Sequence, residues 1–410
     1  MEKPMKRLYG LCLMVFLAAQ APPAPERHRV AGTAYQPEKR EFSSDAVERL
    51  QVPDGFQIRV FAAGLGNPRM LAVGPDKRVY VTRPEQNDVI VLEDVDGDGQ
   101  AEGVPRQAAS GLNRVHGIAF HKDKIHLATT EQVFTGELDA SGRASELRPV
   151  LKRLPDGGQH PNRTLGVGPD GMLYVSVGST CNACIETNPE HATILQSKLS
   201  GGGRTIFARG LRNTIGFAWH PDTGEMWGMD NGSDWRGDDQ PPEELNRIVK
   251  QGHYGWPFCM GDRQPDSYLP DDPVDETKAE FCPATIGPAL SYQAHAAPLQ
   301  MVFYTGNVFP TRFRGDAFVA MHGSWNRSEP VGYSVVRVDF ENGRPVAIED
   351  FVTGFLVDDG QGYIGRPAGI AMLPDGSLLI SDDENGVIYR VSYGRKVSQR
   401  LPMRELNVVR

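Results

Sequence analysis

The sequence is poor in basic residues, in helical period and in cysteine, and each shortage excludes something. Lys and Arg number 43 against 52 Asp and Glu, a net charge of −9. That balance argues against a nucleic-acid partner and gives no reason to expect an anionic membrane surface. Few stretches keep a 3.6-residue period, so a helical fold is excluded as the main architecture. The apolar run at 8–19 falls short of the roughly 20 residues that a membrane-spanning helix needs. Five cysteines occur in 410 residues, and none forms a c-type haem motif, because Ile185 rather than His follows Cys181-Asn182-Ala183-Cys184.

What is abundant is turn chemistry. Glycine numbers 45 and proline 31, which points to a turn-rich all-β protein. From Leu50 onward one unit recurs: an apolar strand, a turn built on Pro-Asp or a relative, then an alternating strand. Its copies lie at 71–76 with 79–82, 118–121 with 125–129, 165–170 with 172–177, 217–222 with 226–229, and 370–375 with 377–381. A looser copy covers 302–310, Arg314 and 317–321. The first four turns are about 47 to 52 residues apart, the length of one four-stranded propeller blade. Six copies predict a six-bladed β-propeller over 46–395, with insertions at about 257–300 and 323–360. A β-sandwich fits the fixed period less well. Arg69, His116, Arg163, Arg212-Asn213 and Arg366 recur at one phase, just before a first strand, where a propeller gathers residues at its axis.

The ends read differently. Lys3, Lys6 and Arg7 precede the apolar run, and small residues follow, so 1–21 reads as a secretory signal peptide for a periplasmic or secreted protein. An uncleaved N-terminal anchor is the alternative and would give the only membrane association expected. Residues 22–45 read as a flexible lead-in and 396–410 as a basic tail. Of the cysteines beyond the leader, proximity pairs Cys181 with Cys184 and Cys259 with Cys282, as suits an exported protein. The chain-entropy model gives roughly 3 kcal/mol for the longer loop and about 2 kcal/mol for the shorter.

Residues 208–261 concentrate the chemistry. A cationic turn, Arg212-Asn213, precedes two strand-like runs. An oxygen-rich loop follows, Asp230-Asn231-Gly232-Ser233-Asp234, and then Gly252-His253-Tyr254-Gly255-Trp256-Pro257. Together with Gly158-Gln159-His160-Pro161-Asn162-Arg163, Gly168-Pro169-Asp170-Gly171 and Glu244-Leu245-Asn246-Arg247-Ile248, these motifs resemble the pyrroloquinoline quinone (PQQ)-dependent glucose/sorbosone dehydrogenases. The resemblance spans roughly 50–392. His322-Gly323-Ser324-Trp325-Asn326-Arg327 and Gly365-Arg366-Pro367 resemble the sorbosone-type branch.

The resemblance implies a quinoprotein that oxidises a sugar, sugar aldehyde or polyol by hydride transfer to PQQ, with Ca²⁺ assisting. It makes His160 the general base, the task of a neutral imidazole. It sets Arg212 and Asn213 against the quinone, where a planar guanidinium stabilises developing charge. Gly232 and Ser233 match the Ca²⁺ loop, with Ser233 standing where the pattern has Pro. The three cofactor carboxylates call for cations, and Arg327 and Arg366 are candidates. His116 and Trp325 are candidate pocket walls. Without a haem motif, electrons would pass to an external quinone or cytochrome.

Two other classes compete: a Ca²⁺-dependent lactonase-type hydrolase propeller and a non-catalytic binding propeller. The first needs carboxylate and Asn ligands at the axis, whereas the phased residues here are mainly Arg and His. Separately, Asp94-Val95-Asp96-Gly97-Asp98-Gly99-Gln100-Ala101-Glu102 opens like an EF-hand loop, but Pro105 stands at position 12. It reads as a tight hairpin, with a peripheral Ca²⁺ as the alternative.

Overall fold

The computed structural model describes residues 32–394 except 270. The leader expected at 1–21, Cys12, the first part of the lead-in and the basic tail at 396–410 lie outside the described residues. Those described form eight sheets, six of them four-stranded. Sheet one comprises Leu71–Val73, Val79–Arg83, Asp88–Leu92 and Arg106–Ser110. Sheet two comprises Gly117–His121, Lys124–Ala128, Val133–Leu138 and Ala144–Leu151. Sheet three comprises Leu165–Val167, Met172–Val177, Thr193–Lys198 and Thr205–Arg209. Sheet four comprises Thr214–Trp219, Met226–Asp230, Glu243–Ile248 and Leu290–Tyr292. Sheet five comprises Pro298–Phe303, Ala317–Met321, Ser334–Glu341 and Arg344–Val352.

Sheet six joins both ends of the described chain. Pro367–Met372, Leu378–Asp382 and Val387–Tyr393 are completed by Phe56–Ala62, which pairs antiparallel to Val387–Tyr393. Inner strands of each sheet pack on those of the next, and sheet six returns to sheet one. The result is an all-β, propeller-like ring with few free edges.

Local chemistry explains the repeat. In sheet three, Met172 N–H donates to Asp170 Oδ1 at 3.1 Å and the Tyr174 hydroxyl to Asp170 Oδ2 at 2.9 Å. In sheet one, Tyr80 donates to Asp76 Oδ2 at 2.8 Å. The turn aspartate thus ties the hairpin to its own second strand. First strands carry glycine because neighbouring sheets meet most closely there. A Cβ at Gly216 would lie 1.9 Å from the Leu299 carbonyl, and one at Gly369 would lie 2.2 Å from the Arg69 carbonyl.

Three stretches differ from the sequence expectation. Much of 323–360 is the third and fourth strands of sheet five, joined at Asn342-Gly343, both at positive φ (53° and 76°). That dipeptide is a strong hairpin signal, so the strands were readable locally. Within the lead-in, Glu38–Lys39 pairs parallel to Gly362–Tyr363, and Tyr35 bridges Asn326. Residues 249–289 lie between the third and fourth strands of sheet four. They hold a small hairpin, Cys259–Met260 with Gln264–Pro265, and a short helix, Lys278–Phe281. The Cys259–Cys282 disulfide closes this excursion, and Cys181–Cys184 is also formed.

The carboxylates of Asp94, Asp96, Asp98 and Glu102 cluster in the turn before the fourth strand of sheet one. They accept backbone N–H groups of the same turn, including Gly97 and Gly99 to Asp94. Among the described residues no helix is long and apolar enough to cross a membrane.

Candidate active site

First strands begin, and second strands end, at one edge of each sheet. The connections at that edge between sheets three, four and five enclose a cavity of about 180 Å³. It brings together His160, Arg212, Asn213, Gly232 and Trp325, with Asp234 from the oxygen-rich loop and with Glu243 and His295, to which sequence reasoning assigned no role. Ser233 is buried immediately beside Gly232.

His160 sits on the segment leading into sheet three. Arg163, fully buried, shapes that segment by donating to four carbonyls: His160, Asn162, Pro155 and Asp156. Burial holds the Arg163 guanidinium down to about 10. Gly178 is required for the approach, since a Cβ there would lie 2.6 Å from His160 Cβ and 2.7 Å from Asn213 Oδ1.

The His160 ring is fixed chemically as well as sterically. Its Nδ1 lies 2.9 Å from both the carbonyl and the hydroxyl oxygen of Ser179. A carbonyl only accepts, and the Ser179 hydroxyl proton already goes to the Cys181 carbonyl at 2.7 Å. Nδ1 therefore carries the hydrogen. Nε2, with no protein partner among the described residues, keeps its lone pair. Burial first, and the Arg212 charge second, lower His160 to about 3, so it is neutral at ordinary pH.

Arg212 faces it from the turn into sheet four. Its Nε and Nη2 donate to Asn182 O and Oδ1 at 2.9 and 3.0 Å, and Nη2 also donates to Asp234 Oδ2 at 3.0 Å. Nη1 reaches the Asn231 carbonyl at 3.3 Å. The turn is nailed down by Asp230, whose oxygens accept Arg212 N–H and Asn213 N–H, both at 2.9 Å, and the Thr214 hydroxyl at 2.7 Å. Asn213 Oδ1 is buried beside the cavity without a partner.

Buried carboxyls cluster behind the cavity. Burial raises Asp230 to about 6 and both Glu243 and Glu244 to about 8. Arg212 is already paired with Asp234. Glu243 accepts Gly232 N–H at 2.8 Å and Ala297 N–H at 2.9 Å. Asp234 Oδ1 accepts Asn326 Nδ2 at 2.7 Å. His295 Nε2–H donates to the Gly237 carbonyl at 2.9 Å, which leaves Nδ1 to accept from Asn326 at 3.2 Å. Trp235, His295 and Ala297 hold left-handed φ of 65°, 69° and 57°, a concentration of backbone strain typical of binding sites. Trp325 stands at the rim, edge-on to Trp235 at 5.4 Å.

Three expected residues do not line the cavity. Arg327 donates to the Asp238 carbonyl at 2.6 Å and to Asp239 Oδ1 at 3.0 Å. Arg366 donates to the carbonyls of His322 and Gly323 at 3.0 and 2.8 Å, with its guanidinium over Tyr333. His116 is buried behind the segment, with Nδ1 3.3 Å from the Arg163 carbonyl, and burial lowers it to about 3. Arg69, at the same phase, pairs with Asp383.

A family model described as TrAA12-like matches residues 50–394, and the chain belongs to that family. An uncharacterized protein of Borreliella burgdorferi is 30% identical over 86% of this chain and 93% of its own. A pyrroloquinoline quinone-dependent pyranose dehydrogenase of Coprinopsis cinerea is 22% identical over 83% of this chain. This chain spans about half of that relative, 54% of its length. Among solved structures, the calcium structure of a Trichoderma reesei carbohydrate-active enzyme of family AA12 superposes with a TM-score of 0.72. It has 23% identity and covers 84% of this chain and 97% of that one. At that identity the likeness establishes the fold.

Proposed function

We propose that this protein is an exported quinoprotein dehydrogenase. Its six four-stranded sheets are six propeller blades, and it oxidises a sugar, sugar aldehyde or polyol of the sorbosone-type substrate range. PQQ and Ca²⁺ are its cofactors, and an external quinone or cytochrome takes the electrons. The observation that carries this reading is that a tautomer-fixed histidine and an arginine held by four hydrogen bonds face one cavity. Two formed disulfides suit export into an oxidising compartment.

The residues present fit both cofactors. Asn213 Oδ1 is an orphaned buried acceptor. Arg212 offers a guanidinium and Trp325 an aromatic wall. Carbonyls of Gly232 and Ser233 would hold Ca²⁺, a hard cation that takes oxygen ligands. When bound, PQQ beside Ca²⁺ supplies an electrophilic carbonyl that accepts the substrate hydride.

The protein's own groups do the rest. His160 Nε2 takes the substrate hydroxyl proton as the hydride leaves the same carbon, so the alcohol becomes a carbonyl. Such a base is worth roughly 10²–10⁴-fold. Arg212 and Asn213 hold the oxygen edge of the cofactor. Arg366, through His322 and Gly323, and Arg327, through Asp238 and Asp239, hold the segment that presents Trp325. His116 meets the Arg163 carbonyl, and Arg163 in turn grips the carbonyl of the base.

The hydrolase reading gains one observation, the presence of Glu243, Asp234 and Asn213 at the cavity. Both oxygens of each acid are already bonded, Glu243 to two backbone amides and Asp234 to Arg212 and Asn326. That makes them poor metal ligands. The separating experiment adds PQQ and Ca²⁺ to apoprotein with a dye acceptor. Quinone absorbance with sugar-dependent dye reduction is expected. Lactone hydrolysis without PQQ would overturn the reading.

A further inference from the structure

Arg212 has no carboxylate fork to hold it. Its two-point partner is an amide, Asn182, in the middle of the Cys181–Cys184 loop. Asn182 does more than meet Arg212. Its Oδ1 accepts Asp234 N–H at 2.7 Å, and its Nδ2 donates to the Asp234 carbonyl at 3.0 Å. The side-chain amide therefore grips the Asp234 main chain from both sides, as a neighbouring strand would. Its orientation is not free. Both groups at Oδ1 are donors and the group at Nδ2 is a carbonyl, so a flipped amide would lose all three bonds. The Asn182 carbonyl also lies 3.4 Å from Ser233 Oγ.

The same loop reaches the base. Ser179 Oγ donates to the Cys181 carbonyl, and the same serine takes His160 Nδ1–H. Ser179 N–H donates to the Arg212 carbonyl at 2.8 Å. One short disulfide loop thus touches the proton-accepting side of the cavity, its guanidinium, and the Gly232-Ser233-Asp234 segment. These groups come from sheets three and four, and no backbone ladder connects them here.

We propose that Asn182 is a positioning residue: it sets the Arg212 guanidinium and the Gly232–Asp234 segment relative to His160, and the Cys181–Cys184 disulfide keeps it in place. The inference deepens the dehydrogenase reading and rests on it for its kinetic consequences. The arrangement explains why a disulfide closes so few residues at this point. It contributes alignment of an amide between two elements.

The test uses full-length protein reconstituted with PQQ and Ca²⁺, comparing wild type, Asn182→Ala, Cys181→Ser/Cys184→Ser, Arg212→Ala and the Asn182→Ala/Arg212→Ala double variant. Asn182→Ala should lower kcat about 10- to 100-fold, the scale of hydrogen bonds to a charged group, with KM within about threefold. The double cysteine variant should reproduce the same split. In the Arg212→Ala background the asparagine change should cost less than about twofold more, because the two side chains act as one unit. Equal losses in both backgrounds would overturn the proposal, since a general scaffold role is additive. Hydrogen exchange at the Asp234 amide supplies a readout that needs no cofactor. Protection should fall in Asn182→Ala, and unchanged protection would contradict the clamp. Should wild type show no PQQ-dependent turnover, the dehydrogenase reading fails while the exchange arm still decides the clamp. Should Asn182→Ala not fold, Asn182→Asp replaces it: it keeps Oδ1 for Arg212 and for the Asp234 N–H but sets a carboxylate oxygen against the Asp234 carbonyl. A kcat at least about tenfold below wild type supports the clamp, and a kcat within about threefold of wild type overturns it.

Discussion

Two cavities lie at opposite edges of the sheets, and the larger is the less organised. The one of about 500 Å³ sits at the hairpin-turn edge between sheets two and three, lined by His121, Lys122, Lys124, His126 and Arg148 among others. Its most buried polar group, His126, is 2% exposed, and neither ring nitrogen has a partner. The other, about 180 Å³, has its principal polar side chains held by named partners: Arg212 by three residues, Glu243 by two amides, His160 by Ser179. Volume and organisation point to opposite ends. Groups held in place before a ligand arrives are what chemistry needs, because they cost no reorganisation at the moment of reaction.

The comparison can be broken most sharply at His160. Replacing it with Gln is expected to lower kcat by roughly 10²–10⁴-fold while PQQ stays bound, read as turnover against quinone absorbance. Replacing His126 with Gln should leave turnover unchanged. Arg212→Lys comes next. Losing the planar fork should cost about 10²-fold in kcat with little change in KM, by steady-state kinetics.

The two disulfides sharpen the contrast in a different currency. Removing Cys259–Cys282, which closes an excursion of sheet four, should lower unfolding free energy by roughly 3 kcal/mol in a denaturant titration and spare kcat. The smallest effect belongs to the turn-edge cavity. Burial, with His121 and Lys124 adding to it, lowers His126 from its ordinary value to about 4. A histidine depressed in the folded state stabilises above its unfolded pKa and loses that contribution as pH falls. The loss should reach about 2 kcal/mol by pH 5, and His126→Gln should flatten that part of the stability curve.

The fold was legible because its signals are local. Pro-Asp turns followed by an alternating strand, with Tyr80 and Tyr174 four residues past the turn aspartate, need no distant partner to be read. The Asn342-Gly343 hairpin was equally local and marks strands inside a stretch read as an insertion. His160, Arg212, Asn213, Gly232 and Trp325 were legible through their motifs and meet as expected. Asn182, His295 and Asn326 were not, because their roles arise only where loops from three sheets converge. Glu243 sits in a strand position that reads as core packing. Its acidity makes sense only once Gly232 and Ala297 present their amides to it.

The decisive measurement is a crystal structure of the protein soaked with PQQ and Ca²⁺. Ordered density for the three-carboxylate ring is expected between His160, Arg212 and Trp325, with the cation at Gly232-Ser233. Density in the turn-edge cavity beside His126, with the His160 side empty, would contradict it.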